Sequence, residues 1–225
     1  MPDRAREDPT GELAPGGWSG ATMTGGATIW LTGVPAAGKS TIAAAACEAL
    51  ATRGARPVHV DGDDLRRGLN SDLDFTASGR SEAVRRAGEV ASLLAAAGLV
   101  AVVSLVSPYL EDRLTVRNLH LERGLPFVEV WVSAPLEVCA LRDPKGLYAR
   151  AGRGELRGLT GVDDPYEPPT CPEADIPTDR VGVPEAVSMV LEALDMALGT
   201  SPGHGPGAAA DTTPSGNAIR STADP

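Results

Sequence analysis

The sequence predicts a three-layer α/β fold in which a parallel sheet is flanked by helices on both faces. Apolar strand-like runs alternate with helical patterns through the centre of the chain. One run, Leu99–Val106, is apolar apart from Ser104, as a parallel strand buried on both faces requires. Arg80–Ala97 spaces its apolar residues three and four apart, which is typical of an amphipathic helix packed on a sheet.

The other predicted elements surround these two. The apolar run Ile29–Leu31 indicates a first strand, and an alanine-rich segment from Gly38 to Leu50 indicates the helix after it. Pro57–Val60 is a second strand that ends at Asp61. The pattern then predicts a helix, a strand, a short helix and a closing helix at Glu111–Arg123, Phe127–Val132, Pro135–Leu141 and Val183–Leu198.

Three segments lack such patterns. Residues 1–26 and 200–225 are rich in Gly, Pro and polar residues and have little to bury, so both are predicted to be disordered tails around a domain of residues 27–199. Gly152–Pro177 holds many Gly, Pro and charged residues with little periodicity. Residues from about 145 to 177 are therefore predicted to form a mobile lid rather than a packed element.

Composition excludes some classes of protein. The net charge of −10 over 225 residues argues against nucleic-acid or membrane-surface binding, although a small anionic substrate needs only a local cluster of positive charge. Cys47, Cys139 and Cys171 lie far apart in sequence, which predicts neither a disulfide framework nor a zinc site. The N-terminus lacks the apolar segment of a signal peptide, and no apolar run is long enough to span a bilayer. We therefore expect a cytoplasmic protein.

A phosphate-binding loop is predicted between the first strand and its helix. Gly33–Thr41 has the spacing in which glycines let backbone N–H groups point at a polyphosphate, and the helix N-terminus adds its positive end. Lys39 would reach the β- and γ-phosphates of the bound polyphosphate, and the Ser40 hydroxyl would bind magnesium. The predicted nucleotide-binding residues are Gly33, Ala36, Ala37, Gly38, Lys39, Ser40 and Thr41. A chance Gly/Ala-rich turn is disfavoured because both flanking elements are present.

Two carboxylates follow the second strand, in the segment Asp61-Gly62-Asp63. The carboxyl edge of a parallel sheet is where such folds bind ligands. An acid there would hold magnesium, directly or through water, and orient or deprotonate an acceptor hydroxyl. Asp61 and Asp63 are therefore predicted to be catalytic, with Asp63 and Ser40 as magnesium ligands. The alternative is that Asp63 only caps a helix that begins at Asp64.

Further motifs continue through the chain in a fixed order. They are DGDDLRRGLN at 61–70, DLDFT at 72–76, VSPY at 106–109, RDPKGLY at 142–148 and LTGVDDPYE at 159–167. With the phosphate loop, they resemble the adenylylsulfate (APS) kinase family from about Ile29 to Thr178. The resemblance implies the P-loop NTPase fold, a homodimer, and transfer of the ATP γ-phosphate to the 3′-hydroxyl of APS to give 3′-phosphoadenylylsulfate (PAPS).

The resemblance also implies an acceptor site. Its residues are Arg66, Asn70, Phe75, Arg80, Ser107 and Leu159. The guanidinium groups offer planar forks for phosphate and sulfate oxygens, and an aromatic face accepts a purine. Lys145, in the lid region, would approach the transferring phosphate and is predicted to be catalytic.

Several positions depart from the family pattern. The usual Asp-Arg-x-Glu-Asn-Ile-Arg-Arg has Gly79 in place of its acid and Ala83 in place of its amide. Leu159 replaces one of the two aromatic walls of the adenine site, a loss of stacking on the order of 1 kcal/mol. Ala36 stands where a Gly is common, which needs only a permissible φ. The acceptor side is therefore expected to be weakened or rearranged.

Three functions are compatible with these observations. The first is a working APS kinase, and the second is a related kinase that phosphorylates another small-molecule hydroxyl. The third is an inactive nucleotide-binding partner protein. Intact Lys39, Ser40, Asp61 and Asp63 argue against the third, because a pure binding module has no need of the acids.

Some of these side chains also have an ordinary structural interpretation. Phe75 is compatible with a core aromatic, and Arg66 and Arg80 with a solvated charged face. For Arg85 and Arg86, salt bridges within a helix are as compatible as a ligand role.

The remaining polar and aromatic residues have no motif around them. Arg113 and Arg117 lie four apart, so they share a helical face that is either solvent or the ATP side of the lid. Trp30 and Trp131, on strands, are predicted to be core residues. His59 and His120 are predicted to be structural.

Overall fold

Five parallel strands form the centre of the structure, a computed structural model that describes residues 25–200. The strands are β1 Ala27–Thr32, β2 Pro57–Asp61, β3 Val100–Ser104, β4 Phe127–Ser133 and β5 Ala174–Pro177. Their order across the sheet is β2-β3-β1-β4-β5. Ile29 of β1 lies opposite Val102 and Val128 in its two neighbours. Because β1 is central, the loop that follows it emerges at the middle of the carboxyl edge.

Helices cover both faces of the sheet. They are α1 Lys39–Thr52, α2 Gly62–Arg67, α3 Ala77–Ala96, α4 Leu110–Glu122, α5 Leu136–Arg142, α6 Leu147–Gly152 and α7 Val183–Ala197. α1 and α7 pack together on one face, and α3 packs with α4 on the other. The three-layer parallel fold that the sequence predicts is confirmed.

Two apolar cores hold these layers together. Ile42 and Leu50 of α1 pack with Leu194 of α7 in one core. Val84 of α3 packs with the buried Trp30 of β1 in the other. Full burial of a large aliphatic side chain stabilises a fold by roughly 1.5–3 kcal/mol, so the two cores fix the sheet between its helices.

The elements agree in type with those predicted and differ at their ends. β3 ends at Ser104 rather than Val106 because the chain leaves the sheet there and reaches Ser107 with a φ of 39°. α3 begins at Ala77 rather than Arg80 because the Thr76 side chain accepts a hydrogen bond from Gly79 N at 3.2 Å. A side-chain cap of this kind is favoured at a helix start.

The predicted lid is wrong in part. Ala174–Pro177 forms β5, an edge strand paired with β4, in which Ile176 is fully buried. Leu147–Gly152 is a short helix, and the Leu159 side chain is 5 % exposed. A four-residue strand with one core side chain is too short to show periodicity, which is why the sequence pattern missed it.

One smaller prediction and one alternative interpretation are also wrong. Trp131, on β4, is only partly buried, whereas Trp30 is in the core as predicted. The cap of α2 is Asp61, whose side chain accepts from Asp63 N at 2.9 Å, so Asp63 does not cap a helix at Asp64.

The predicted tails lie almost wholly outside the described residues. Gly25, Gly26 and Thr200 are the exceptions. Thr200 N donates to Asp195 O at 2.9 Å, which ties it to the end of α7.

Candidate active site

A single cleft of about 960 Å³ joins the loop after β1 to the segments that follow β2 and β3. It lies at the carboxyl edge of the sheet, where Asp61 and Ser104 are register partners at the ends of β2 and β3. Every residue predicted to be catalytic lines this cleft. So does every residue predicted for the acceptor. The topology therefore brings two sets of residues, distant in sequence, to one place.

The loop before α1 is shaped for an anion. Gly38, at the N-cap of α1, has a φ of 109° and no side-chain cap, which leaves the first N–H groups of the helix to a ligand. A Cβ on Gly33 would lie 2.5 Å from Val132 O, so only glycine fits against β4 there. Ala36 has a φ of 60°, in the left-handed region that favours glycine. The Ala36 substitution therefore carries strain that the sequence did not reveal.

Lys39 is buried under the loop. Its Nζ donates to Gly33 O and Val34 O, both at 2.9 Å, and the residue is only 9 % exposed. Burial lowers the pKa of the Lys39 ammonium to about 8. An ammonium held among carbonyl oxygens beside an open helix N-terminus is ready to exchange those oxygens for phosphate oxygens.

Asp61 connects three elements through its carboxylate. Oδ2 accepts from Ser40 Oγ of α1 and from Ser104 Oγ of β3, each at 2.7 Å. Burial opposes ionisation of Asp61, but the hydrogen bonds from Ser40, Ser104 and Asp63 N prevail and lower its pKa. Asp61 is thus an ionised carboxylate with a fixed orientation next to the phosphate loop.

Asp63 lies two residues further along the chain and has a different partner. Its carboxylate forms an ion pair with Lys145, and both side chains are more than half exposed. The carboxylate that Ser40 contacts is therefore that of Asp61 rather than Asp63. The pair joins the segment after β2 to the segment before α6 across the mouth of the cleft.

Phe75 lies close to two guanidinium groups on the acceptor side. Arg66 Cζ lies 4.3 Å from the ring centroid, and Arg80 Cζ lies 5.6 Å from it. The Phe75 side chain is 64 % exposed, so the alternative of a core aromatic is wrong. Burial, followed by the neighbouring Arg80, lowers the pKa of Arg66. Two cations held near one open aromatic face form a site for an anionic, planar ligand.

Arg80 also connects the acceptor side to the segment that the sequence predicted to be a lid. Its Nη2 donates to Gly158 O at 2.5 Å and lies 3.4 Å from Asp164 Oδ2. The Arg80 side chain is 11 % exposed, so a fully solvated face is also wrong for this residue.

Two buried polar atoms that line the cleft have no hydrogen-bond partner within residues 25–200. They are Asn70 Oδ1 and Thr160 Oγ1, on residues that are 2 % and 1 % exposed. A buried polar atom without a partner is costly, so both atoms are suited to a ligand that supplies hydrogen bonds. Thr160 is not among the predicted acceptor residues, although it lies within one of the motifs.

Ser107 and Leu159 line the same side of the cleft. Ser107 is 2 % exposed, and its Oγ accepts from Trp30 Nε1 at 3.1 Å. Leu159 and Ala83 are each 5 % exposed and present aliphatic surface where the family pattern has an aromatic and an amide.

Arg113 contributes a contact that the sequence did not predict. It is 1 % exposed, and it donates to Glu129 Oε1, Ser107 O and Glu167 O, each at 2.7 Å. Arg117 binds Glu173 on the same network, so neither the solvent nor the ATP-side interpretation of this helical face is right. The spacing of four showed that Arg113 and Arg117 share one helical face. It could not show their acidic partners, because these are distant in sequence.

Arg142 stabilises the phosphate loop through hydrogen bonds. Arg142 Nη1 donates to Ala37 O at 3.3 Å and to Thr178 Oγ1 at 2.9 Å. Thr178 Oγ1 itself donates to Ala37 O at 2.8 Å. The sequence placed Arg142 in a motif without assigning it a role.

The paired arginines of α3 are structural. Arg85 and Arg86 both bind Glu82, and Arg86 also binds Asp72 at 2.7 Å.

His120 is buried between Thr28 Oγ1 and Val116 O, each at 2.8 Å. His59 contacts Ser104 Oγ at 2.9 Å, so His59 and His120 both make structural contacts.

Other site types receive no support from the described part of the chain. Cys47, Cys139 and Cys171 are free thiols. Within residues 25–200, His, Cys, Asp and Glu form no group of three suited to a metal ion. In the same range, no helix combines the length and apolarity needed to cross a membrane.

The fold and the cleft together define a phosphate-loop nucleotide-binding protein, and the carboxylates opposite the loop are typical of kinases. Comparison with known proteins narrows that class. The sequence profile of the family described as adenylylsulphate kinase matches residues 25–177. The chain belongs to the adenylylsulphate kinase family, and it is accordingly a phosphotransferase with an alcohol group as acceptor.

Individual relatives agree with this assignment. The chain is 45 % identical over 169 residues to the adenylyl-sulfate kinase of Saccharomyces cerevisiae, covering 75 % of this chain and 84 % of the relative. It is 46 % identical over 167 residues to that of Geotalea uraniireducens, covering 74 % and 79 %. The solved APS kinase of Mycobacterium tuberculosis, in complex with AMPPNP and APS, matches with a TM-score of 0.73 and 40 % identity over 76 % of this chain and 98 % of that one.

Proposed function

We propose that this chain transfers the γ-phosphate of ATP to the 3′-hydroxyl of APS, giving ADP and PAPS. The observation that carries the proposal is the continuity of one cleft from the Lys39 phosphate loop to Phe75 and the neighbouring Arg66 and Arg80. Phosphoryl transfer requires donor and acceptor to be held in line in one enclosure. The relatives whose names specify adenylyl-sulfate kinase support the choice of acceptor.

On the donor side, the loop from Gly33 to Thr41 would bind the ATP phosphates through its N–H groups and the N-terminus of α1. Lys39 would exchange its two carbonyl contacts for phosphate oxygens. Ala36, Ala37 and Gly38 contribute the backbone of that cradle.

Magnesium fits the side chains beside the loop. Mg²⁺ prefers oxygen ligands and is usually held by one or two carboxylates together with phosphates and water. The Ser40 hydroxyl and the Asp61 and Asp63 carboxylates form such a donor set. When bound, the ion neutralises phosphate charge.

The two carboxylates have different tasks in this proposal. Asp61, fixed by two serine hydroxyls, would stay ionised and hold the orientation of the donor-side ligands. Asp63 is the exposed carboxylate, and it would orient the acceptor hydroxyl and accept its proton. Lys145 would leave Asp63 for the transferring phosphate, where its ammonium stabilises developing negative charge.

On the acceptor side, Arg66 and Arg80 would bind the phosphosulfate, and Phe75 would stack on the adenine with Leu159 as the opposite wall. Asn70 Oδ1, which is buried without a partner, would accept a hydrogen bond from the ribose. Ser107 would contact the substrate from the end of β3.

Incubation of the purified chain with ATP, magnesium and APS tests the proposal. The expected products are ADP and PAPS, resolved by ion-exchange chromatography and identified by phosphorus NMR at the 3′ position. Lys39→Ala is the negative control, since it removes the charge that positions the γ-phosphate. Failure to form PAPS, with the folded protein still binding ATP, would disprove APS as the acceptor.

A second candidate is phosphorylation of another small-molecule hydroxyl. It is favoured by the aliphatic surface at Ala83 and Leu159, where the family pattern carries an amide and an aromatic. A panel of hydroxyl acceptors assayed beside APS distinguishes the two. In the Ala83→Asn, Leu159→Phe double variant, the KM for APS should fall if APS is the acceptor. No change would favour a different acceptor.

Assembly and location remain predictions. The resemblance implies a homodimer, which sedimentation velocity would check. One relative, from Thiobacillus denitrificans, is described as hexameric. The expected cytoplasmic location can be checked by cell fractionation.

A further inference from the structure

The loop before α3 carries a carboxylate in the space that faces Gly79. A Cβ on Gly79 would overlap Asp74 Oδ1 and would lie 2.7 Å from Asp74 O. Residues 74 and 79 therefore cannot both place a side chain in this space. Gly79 is the position at which the family pattern has an acid, so the acid missing from the helix is matched by one on the loop.

The Asp74 carboxylate fastens its loop to the start of α3. Asp74 Oδ1 accepts from Thr76 N at 3.1 Å and from Thr76 Oγ1 at 2.5 Å. Thr76 Oγ1 in turn accepts from Gly79 N, which completes the cap of α3. The hydrogen bonds from Thr76 lower the pKa of Asp74, so its carboxylate is ionised at neutral pH.

The backbone of the same loop holds both acceptor arginines. Arg66 Nη1 donates to Leu73 O at 3.0 Å and to Asp74 O at 2.9 Å. Arg80 Nε donates to Phe75 O at 3.0 Å. A shift of this loop would therefore move Arg66, Phe75 and Arg80 together.

We propose that Asp74 is a positioning residue for the acceptor site and that it supplies, from the loop, the carboxylate that the family pattern carries at position 79. It acts through the loop, by holding Phe75 close to the two guanidinium groups. The position of the Asp74 carboxylate also requires Gly79, because any side chain at residue 79 would displace that carboxylate. The inference rests on the proposed function, because the site that it describes is the APS site.

Steady-state kinetics of single and paired variants test the proposal. Asp74→Ala and Gly79→Asp should each raise the KM for APS about tenfold while the KM for ATP stays within twofold, since the loop touches only the acceptor side. The double variant Asp74→Gly, Gly79→Asp removes the overlap with Asp74 Oδ1 and moves the acid back to the helix. The new Cβ still lies 2.7 Å from the carbonyl oxygen of residue 74, so this variant should recover only part of the loss. Asp74→Asn keeps an oxygen acceptor for Thr76 and should remain close to the unmodified chain.

A matched control and a second readout make the outcome decisive. Asp64→Ala removes an acid of α2 whose described ion pair is with the exposed Arg67, and it should change neither KM. Amide hydrogen exchange at Gly79 should accelerate in Asp74→Ala, a readout that needs no turnover. If the unmodified chain fails to phosphorylate APS, the proposed function fails, and the exchange result still decides whether Asp74 fixes the loop.

Three results would overturn the inference. One is an unchanged KM for APS in Asp74→Ala. Another is a double variant no better than the worse of its two single variants. The third is an equal rise in both KM values in Asp74→Ala with a lowered melting temperature, which would indicate a purely structural role.

Discussion

The Ser40 hydroxyl donates to Asp61 Oδ2 at 2.7 Å and so joins the first turn of α1 to the end of β2. Ser104 Oγ donates to the same oxygen from β3. One carboxylate oxygen therefore receives two hydroxyl donors from two elements, and its direction is fixed before any ligand binds. Preorganisation of this kind is what electrostatic catalysis requires.

Asp61→Asn should lower kcat by about 100-fold with little loss of stability. Asparagine can still cap α2, but it has lost the negative charge, and an amide nitrogen cannot accept from both hydroxyls. Activity assays with parallel thermal melts check this. Asp64→Asn, in the first turn of α2 and paired with Arg67, is the control and should keep normal kcat. A similar fall in both variants would contradict the role of Asp61.

ATP affinity should decrease as the pH rises through about 8. Burial lowers the pKa of Lys39 to about 8, so the free protein loses that charge above this pH. Phosphate oxygens favour the charged form, and ATP binding near pH 8.5 should therefore take up protons at Lys39. Calorimetry in buffers of different ionisation enthalpy measures this uptake. Lys39→Met should abolish it, and an unchanged uptake in that variant would assign the proton to another group.

The same residue predicts a pH dependence of stability. Between about pH 8 and 10.5 the unfolded chain binds more protons at Lys39 than the folded chain does. The free energy of unfolding, measured relative to Lys39→Met, should therefore rise with pH across this window. Urea unfolding at pH 7.5 and pH 10 checks the sign, and a decrease would show that the folded state does not disfavour the charged form.

Ala36→Gly should raise the free energy of unfolding by about 0.5–1 kcal/mol. Ala36 has a φ of 60°, which costs an alanine more than a glycine, and the entropy of the unfolded glycine offsets part of the gain. Ala37→Gly is the matched control: Ala37 is fully buried and outside the left-handed region, so this change should destabilise. Chemical denaturation of both variants measures the difference. Destabilisation by Ala36→Gly would show that the backbone at Ala36 is not strained.

Phe75→Ala should raise the KM for APS by about 10- to 100-fold without lowering the melting temperature. Loss of one stacked base costs on the order of 1–3 kcal/mol, and a side chain that is 64 % exposed contributes little to the core. Leu121→Ala, at a 73 % exposed leucine of α4, is the control and should leave both quantities unchanged. A drop in melting temperature for Phe75→Ala but not for Leu121→Ala would indicate that Phe75 packs in the core.

Local patterns predicted the parts of the fold that depend on near neighbours. Continuous apolar runs predicted the buried strands, and the apolar spacing around Val84 and Ala87 predicted α3. Glycine spacing predicted the loop before Lys39, because its backbone geometry is set within nine residues. β5 escaped prediction because one buried side chain, Ile176, makes no period and is stabilised only by its neighbour β4.

The sequence by itself determined the layered fold, and it predicted the phosphate loop and a set of acceptor residues that all line one cleft. Only the tertiary structure decided which of these side chains contact one another: Asp61 rather than Asp63 accepts from Ser40, and the buried Arg113 pairs with Glu129 of β4. It also decided that Ala36 is strained and that Asp74 fills the space beside Gly79. The physical reason is that hydrogen bonds and steric overlap depend on distances in space, which residue spacing specifies only within a turn or a helix.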